Sequence, residues 1–250
     1  MERTNAYSLL DFLDNSPCNF FATATIQRYL DDNGFQELKQ SERWNLEKGG
    51  KYYVKKNDTA IFGFVIGETP LDQSGFNMIS AHSDSPCFRI KPNPEMLADG
   101  VLKLNTEVYG GPILYTWFDR PLSLAGRVIV RNPQNPARPI TKLIDFASPV
   151  LIIPHLAIHF NRNVNAGNPL SKQKDMLPIA AIVSDSMSKN NFLIDQIKER
   201  LEIADSKDIL DFDLMLYNCQ KSQLVGFNKE FICSGRIDDL SMAHAALSAL

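Results

Sequence analysis

No uninterrupted apolar run approaches the ~18 residues a membrane span requires, and the N-terminus, Met1-Glu2-Arg3-Thr4-Asn5, lacks the basic-then-apolar layout of a secretory signal. Neither sign of charge is in excess. With 26 Lys+Arg against 29 Asp+Glu the net charge is −3, so nothing points to a nucleic acid or an anionic membrane as partner. The motifs G-x-x-x-x-G-K-[ST], G-x-G-x-x-G and G-x-S-x-G are all missing, which leaves phosphate cradling and serine-hydrolase chemistry without support. Cysteine is sparse: Cys18, Cys87, Cys219 and Cys233 lie far apart and form no C-x-x-C pair. They read as buried thiols of a reducing compartment, the cytoplasm. A ligand role for Cys87, close to His82, is weighed against packing, which its neighbours Pro86 and Phe88 favour. The sequon Asn57-Asp58-Thr59 means little without secretion. Internal repeats and low-complexity segments are also missing.

What is present is an ordinary globular composition. The 250 residues, 44% hydrophobic and 22% charged, suffice for one large core or two modest ones. Helical spacing of apolar residues predicts amphipathic helices over 7–14 and 20–32, the second stopped at Gly34. Strand-like runs follow at 51–56, 60–66 and 76–81, with Asn57-Asp58 a turn between the first two. After Pro86 the texture changes. Lys91-Pro92-Asn93-Pro94 reads as an extended linker. Strand candidates at 101–108, 122–130, 140–146 and 150–153 come next, punctuated by Gly110-Gly111-Pro112 and Asn132-Pro133-Gln134-Asn135-Pro136. Helical periodicity returns at 154–160 and 191–202. This middle portion reads as a mainly β domain inserted into an α/β one. The runs 212–217 and 230–233 then lead into a final helix, 240–250, with Leu240, Ala243, Leu247 and Leu250 on one face. That helix has no Gly or Pro stop, so the chain looks cut rather than completed.

Two short stretches carry the candidate chemistry. In Ala81-His82-Ser83-Asp84-Ser85-Pro86 a strand is expected to end near His82, because Pro86 cannot join a ladder. Ligand sites of open α/β sheets gather beyond such strand ends. An H-x-D step there lets the imidazole bind a metal while the aspartate fixes its tautomer. The plain alternative is a Ser/Asp/Pro turn with an incidental histidine. In Gly235-Arg236-Ile237-Asp238-Asp239-Leu240, Asp238 precedes the last helix. It reads either as an N-cap complementing the helix dipole or as a carboxylate bridging two cations ~3.5–4 Å apart. Asp239 next door is able to take the cap and release Asp238 for metal. Of the remaining histidines, His155 reads as a helix-start residue and His244 as a satisfied buried one.

Together these stretches, separated by the inserted β portion, resemble the aspartyl aminopeptidase / aminopeptidase I family of zinc exopeptidases, and its bacterial branch in particular. The likeness extends through Asn57-Asp58, Ser85-Pro86-Cys87-Phe88-Arg89-Ile90-Lys91-Pro92-Asn93-Pro94 and Glu107-Val108-Tyr109-Gly110-Gly111. It continues through Trp117-Phe118-Asp119-Arg120, Leu122-Ser123-Leu124-Ala125-Gly126-Arg127 and Pro154-His155-Leu156-Ala157-Ile158-His159, spanning nearly the whole chain. The resemblance implies an α/β fold. Its parts are a partial zinc-exopeptidase catalytic domain (mixed sheet flanked by helices) over 1–91 and 234–250, and an inserted β-rich oligomerisation or lid domain over 92–233.

The resemblance further implies a metallo-aminopeptidase releasing N-terminal residues, acidic ones among them, from peptides with two zinc ions. His82 is then a zinc ligand, Asp84 its orienting carboxylate and Asp238 the carboxylate bridging the metals. His159 is similar to a family histidine that reaches a neighbouring subunit's active site and helps hold substrate; its alternative is a core histidine among Leu156, Ile158 and Phe160. A homo-oligomer through the inserted domain is implied as well, dimers assembling into a tetrahedral dodecameric particle. The sequence departs from the family pattern at Asp239, usually Asn, and at Pro121, usually acidic. The family's general-base glutamate, a glutamate ligand, an aspartate ligand and a histidine lie downstream of the R-[IL]-D motif, so these residues alone are expected to be inactive. Spacing does not support substitution of the missing ligands by Asp84, Glu107 or His159. Two other readings stand beside this one: a non-catalytic assembly subunit that retains the β domain, and a glutamyl-aminopeptidase-like metallopeptidase.

Overall fold

Apolar residues at helical spacing build the first elements of the computed structural model, which describes residues 4–183 and 190–250. Helix α1 (Thr4–Asp14) buries Leu10, Phe12 and Leu13; helix α2 (Asn19–Asp32) buries Phe20, Ala22 and Leu30. The chain leaves α2 through Gly34, whose φ of +79° is open to glycine at no steric cost, and Phe35 N–H returns to the Leu30 carbonyl at 3.0 Å. Strands β1 (Gln36–Glu37), β2 (Lys51–Lys56) and β3 (Ala60–Val65) form a mixed sheet in that order, β1 parallel and β3 antiparallel to β2. Asn57 and Asp58 carry the turn between β2 and β3 with φ of 54° and 56°, a left-handed pair that short polar side chains tolerate. A short helix, α3 (Leu71–Ser74), follows.

The strand expected over 76–81 does not form. The segment makes no ladder, and Phe76, Met78 and Ile79 stand 53%, 77% and 68% exposed. Its composition suits a strand, but strand geometry persists only where a neighbour takes up the backbone groups. Among the described residues β3 pairs with β2 alone.

Residues 86–220 form a second compact unit. It comprises β4 (Cys87–Ala98), β5 (Val101–Tyr109), β6 (Leu122–Val130), β7 (Ile140–Asp145), β8 (Ile179–Ile182), helix α4 (Phe192–Arg200) and β9 (Ile209–Asn218). The six strands make one antiparallel sheet, ordered β7-β6-β9-β4-β5-β8. Phe88, Leu104, Leu124, Ile153, Ile197 and Leu214 are among the residues buried in its core. Gly126 of β6 lies against the Asp213 carbonyl of β9 so closely that a β-carbon has no room, which makes glycine obligatory there.

Two expectations for this unit need correction. The 91–94 stretch is not a linker but part of β4. Its prolines sit where the β4–β5 register breaks between Ile90 and Glu95, a place where a strand flanked on both sides accepts residues without an N–H. The 154–160 stretch is not a helix but irregular chain ending in a hydrogen-bonded turn, with Phe160 N–H on the Ala157 carbonyl at 2.9 Å. Helical spacing predicts a helix only if the apolar face has something to bury against, and here Leu156 and Phe160 remain 61% and 81% exposed.

The chain then returns to the first unit, residues 1–85 and 221–250, through the hairpin β10 (Gln223–Val225) and β11 (Phe231–Cys233) and helix α5 (Ile237–Ala249). Asp238 and Asp239 have non-helical dihedrals, so regular helix begins after them, as the sequence predicts. Leu240, Ala243 and Leu247 of α5 pack with Phe12, Leu13 and Leu30 of the first two helices. His244 on the same helix is half-buried; its Nε2 lies 2.9 Å from Ser8 Oγ and its ring 5.6 Å from that of Phe12. The first unit is α/β with a mixed sheet and flanking helices, and the second is mainly β. Among the described residues no helix is long and apolar enough to cross a membrane.

Candidate metal centre

The two motif stretches meet in the first unit, and neighbouring elements hold each in place. Arg236, at φ 61°, sends Nε to the Ser16 carbonyl and Nη2 to the Leu13 carbonyl, both at 3.0 Å, tying the start of α5 to the end of α1. A guanidinium fork suits this task because its donors are fixed in one plane. Ser83 Oγ donates to the Thr59 carbonyl at 3.2 Å, anchoring the His82 stretch beside the β2–β3 turn. Between these anchors two bonds cross from stretch to stretch. His82 N–H donates to Asp239 Oδ2 and Ser85 Oγ donates to the Asp238 carbonyl, each at 3.2 Å. The Asp238–Asp239 peptide is cis.

The imidazole of His82 is oriented from both sides. Its Nδ1 lies 2.9 Å from the Asp84 carbonyl oxygen and 3.3 Å from Asp84 Oδ1. A carbonyl only accepts, so Nδ1 carries the proton and the lone pair of the neutral ring sits on Nε2. That nitrogen faces Asp238 Oδ1 at 3.2 Å. Two acceptors directed at each other repel unless a cation stands between them, either a proton on the imidazole or a metal ion. The electrostatics agree with that requirement. Desolvation pulls the His82 pKa down, but the Asp84 carbonyl and the charges of Asp84, Asp239 and Asp238 outweigh it, and the net direction is up from 6.5.

The donor chemistry fits zinc as part of a ligand set. With Zn–N near ~2.0–2.1 Å and Zn–O near ~2.0–2.2 Å, two ligands of a tetrahedral ion stand roughly 3.4 Å apart; the His82–Asp238 separation is 3.2 Å. Both side chains are open to solvent, at 53% for His82 and 91% for Asp238. Among the described residues no group of three or more His, Cys, Asp or Glu is gathered to hold a metal ion. These residues therefore contribute a pair of donors rather than a finished site.

The remaining candidates lie elsewhere. His159 belongs to the second unit and is exposed within the turn after Pro154, which removes the core-histidine alternative. Glu107, also of the second unit, is ion-paired with Lys91 at 3.2 Å. His155 does not start a helix; its N–H donates to Asp119 Oδ1 at 3.0 Å and its ring packs edge-on to Phe118 at 4.5 Å. Cys87 is buried, consistent with packing, whereas Cys233 is exposed and not the buried thiol expected; none of the four cysteines forms a disulfide. Sequence reasoning gave no role to Arg236, Ser83 or Ser85. The available signal was adjacency: each lies within three positions of His82 or Asp238, and each has a side chain able to reach a backbone carbonyl.

An α/β unit interrupted in the chain by an antiparallel β unit is a zinc-exopeptidase type of fold, the class to which the solved structures similar to this chain belong. Residues 12–250 match the profile of the family described as aminopeptidase I zinc metalloprotease (M18), and the chain belongs to that family. It is 52% identical over 246 residues to the probable M18 family aminopeptidase 2 of Clostridium novyi (strain NT), covering 98% of this chain and 56% of that protein. The chain thus spans little more than half the length of the curated relative it matches. Its fold is similar to a chain of the Ape4–Nbr1 complex, with a TM-score of 0.91, 32% identity, and coverage of 99% of this chain and 50% of that one. The S. cerevisiae mApe1 dodecamer shares the fold at a TM-score of 0.81 and 22% identity, over 99% of this chain and 57% of that one.

Proposed function

We propose that these residues are the metal-ligating part of a zinc aminopeptidase that releases N-terminal amino acids from peptides. The observation that carries this reading is the Nε2 lone pair of His82 facing Asp238 Oδ1 at 3.2 Å, an arrangement that calls for a cation. Family membership supports zinc as that cation. His82 and Asp238 are the residues that would hold it, and Asp238 would be the carboxylate shared with a second ion. Asp84 fixes the tautomer of His82 through its carbonyl and carboxylate, in the manner of a carboxylate–histidine–metal relay. When bound, zinc supplies Lewis acidity toward a peptide carbonyl and toward water. The proposed role of His159, exposed on the second unit, is to contact substrate in a neighbouring subunit of a homo-oligomer assembled through that unit. The dodecamer formed by the related yeast enzyme is consistent with such an assembly. Release of acidic N-terminal residues is the finer form of the proposal.

The test compares the 250 residues with a chimaera that adds the unmatched portion of the Clostridium novyi relative, each given zinc and peptides differing at the N-terminus. The chimaera is expected to release N-terminal residues, and His82→Ala to lower that rate at least ~100-fold. The 250 residues alone are expected to give no turnover, because a catalytic zinc keeps three protein ligands. Turnover by the 250 residues, or full activity of the His82→Ala chimaera, contradicts the proposal.

A further inference from the structure

We propose that Asp239 is a positioning residue for the metal pair, its carboxylate holding the main chain of His82 as a hydrogen-bond acceptor so that Nε2 stays against Asp238. The inference deepens the zinc reading above and rests on it. Among the described residues the segment before His82, 76–81, makes no strand ladder. The bond from His82 N–H to Asp239 Oδ2, at 3.2 Å, links it to the residue that directly follows Asp238, 157 positions away in sequence. The Ser85 hydroxyl crosses in the same sense to the Asp238 carbonyl. The two bonds thus flank the His82–Asp238 contact, and both run between the same two stretches.

With its backbone fixed by Asp239 and its ring fixed by the Asp84 carbonyl at Nδ1, His82 has little freedom left. The hydrogen bond of Asp239 goes to the amide of His82 and not to its ring, which feels only the charge, so what the bond itself needs is an oxygen acceptor of either charge. An asparagine Oδ1 is an acceptor of the same reach, and alanine is none.

The test has two readouts. Hydrogen exchange of the His82 amide is followed by NMR on the isotopically labelled 250-residue chain without metal, and zinc affinity is measured by chelator competition on the chimaera, since two donors alone do not make a finished site. Asp239→Asn is expected to keep the His82 amide protected and zinc affinity within about fivefold, the residual change reflecting one lost charge. Asp239→Ala is expected to speed His82 exchange at least ~10-fold and to weaken zinc by roughly 10–100-fold, the usual effect of losing a partner that orients a ligand. Three results overturn the proposal: both readouts unchanged in Asp239→Ala; one readout changed without the other; or Asp239→Asn losing as much as Asp239→Ala, which makes Asp239 a direct ligand or a charge. If Asp239→Ala fails to fold, Asp239→Asn decides alone by the same fivefold limit and by amide protection. His82→Ala run alongside separates the two claims. Unchanged zinc affinity there removes the metal reading, while the exchange data on His82 still report whether Asp239 holds its main chain.

Discussion

At the scale of single residues, protonation is set by what each ring nitrogen faces. His82 and His244 show opposite cases. His82 is surrounded by three carboxylates and an acceptor carbonyl, and its pKa moves up despite desolvation. His244 has Ser8 and the Phe12 ring, and burial pulls its pKa down from 6.5. For His244 the sign follows from linkage. The unfolded chain takes up the proton first as pH falls, so the stability contributed by the neutral ring is present above about pH 6.5 and is lost as pH drops through the lower folded value. Thermal unfolding between pH 7.5 and 5 is therefore expected to fall more steeply for the natural chain than for His244→Gln. Parallel curves for the two would contradict this. The character of His244 was legible from its place on an apolar helical face. That of His159 was not, because the apolar residues beside it look like a core and are in fact open to solvent.

At the scale of elements, the comparison between sequence and structure turns on what each segment packs against. α1, α2, β2, β3 and α5 carry their signals internally, in spacing and turn residues, and these agree with the structure within a few residues. The 76–81 and 154–160 stretches carry equally good local patterns but lack a neighbouring surface, and neither forms its expected element. The 91–94 stretch shows the converse, since two prolines that read as a linker are absorbed by a register break in β4. Arg236 joins element to element, its guanidinium holding the Leu13 carbonyl of α1 and the Ser16 carbonyl just beyond it while its backbone starts α5. Arg236→Ala is expected to cost about 2 kcal/mol, from two charge-assisted bonds and the carbonyls they leave unpaired. Urea unfolding reads this directly. A loss below ~0.5 kcal/mol, the size typical of an ordinary surface change, would show that the fork does not anchor the motif.

At the scale of the whole chain, two units carry unequal shares of the chemistry. The second unit encloses its own core within a six-stranded sheet, and the first brings His82 and Asp238 together. Half of the candidate site is legible: His82, Asp84 and Asp238 stand out in two motifs whose cross-bonds span 153 and 157 positions. The lacing that holds them is not, because Ser85 and Asp239 act on backbone groups, which no motif displays. That the His82–Asp238 pair binds zinc is tested by chelator competition on the chimaera, which completes the ligand set. Zinc is expected to bind the chimaera and raise its unfolding temperature by mass action, and His82→Ala and Asp238→Ala are each expected to weaken binding at least ~10-fold with folding retained. Zinc affinity unchanged in both variants would contradict the zinc reading.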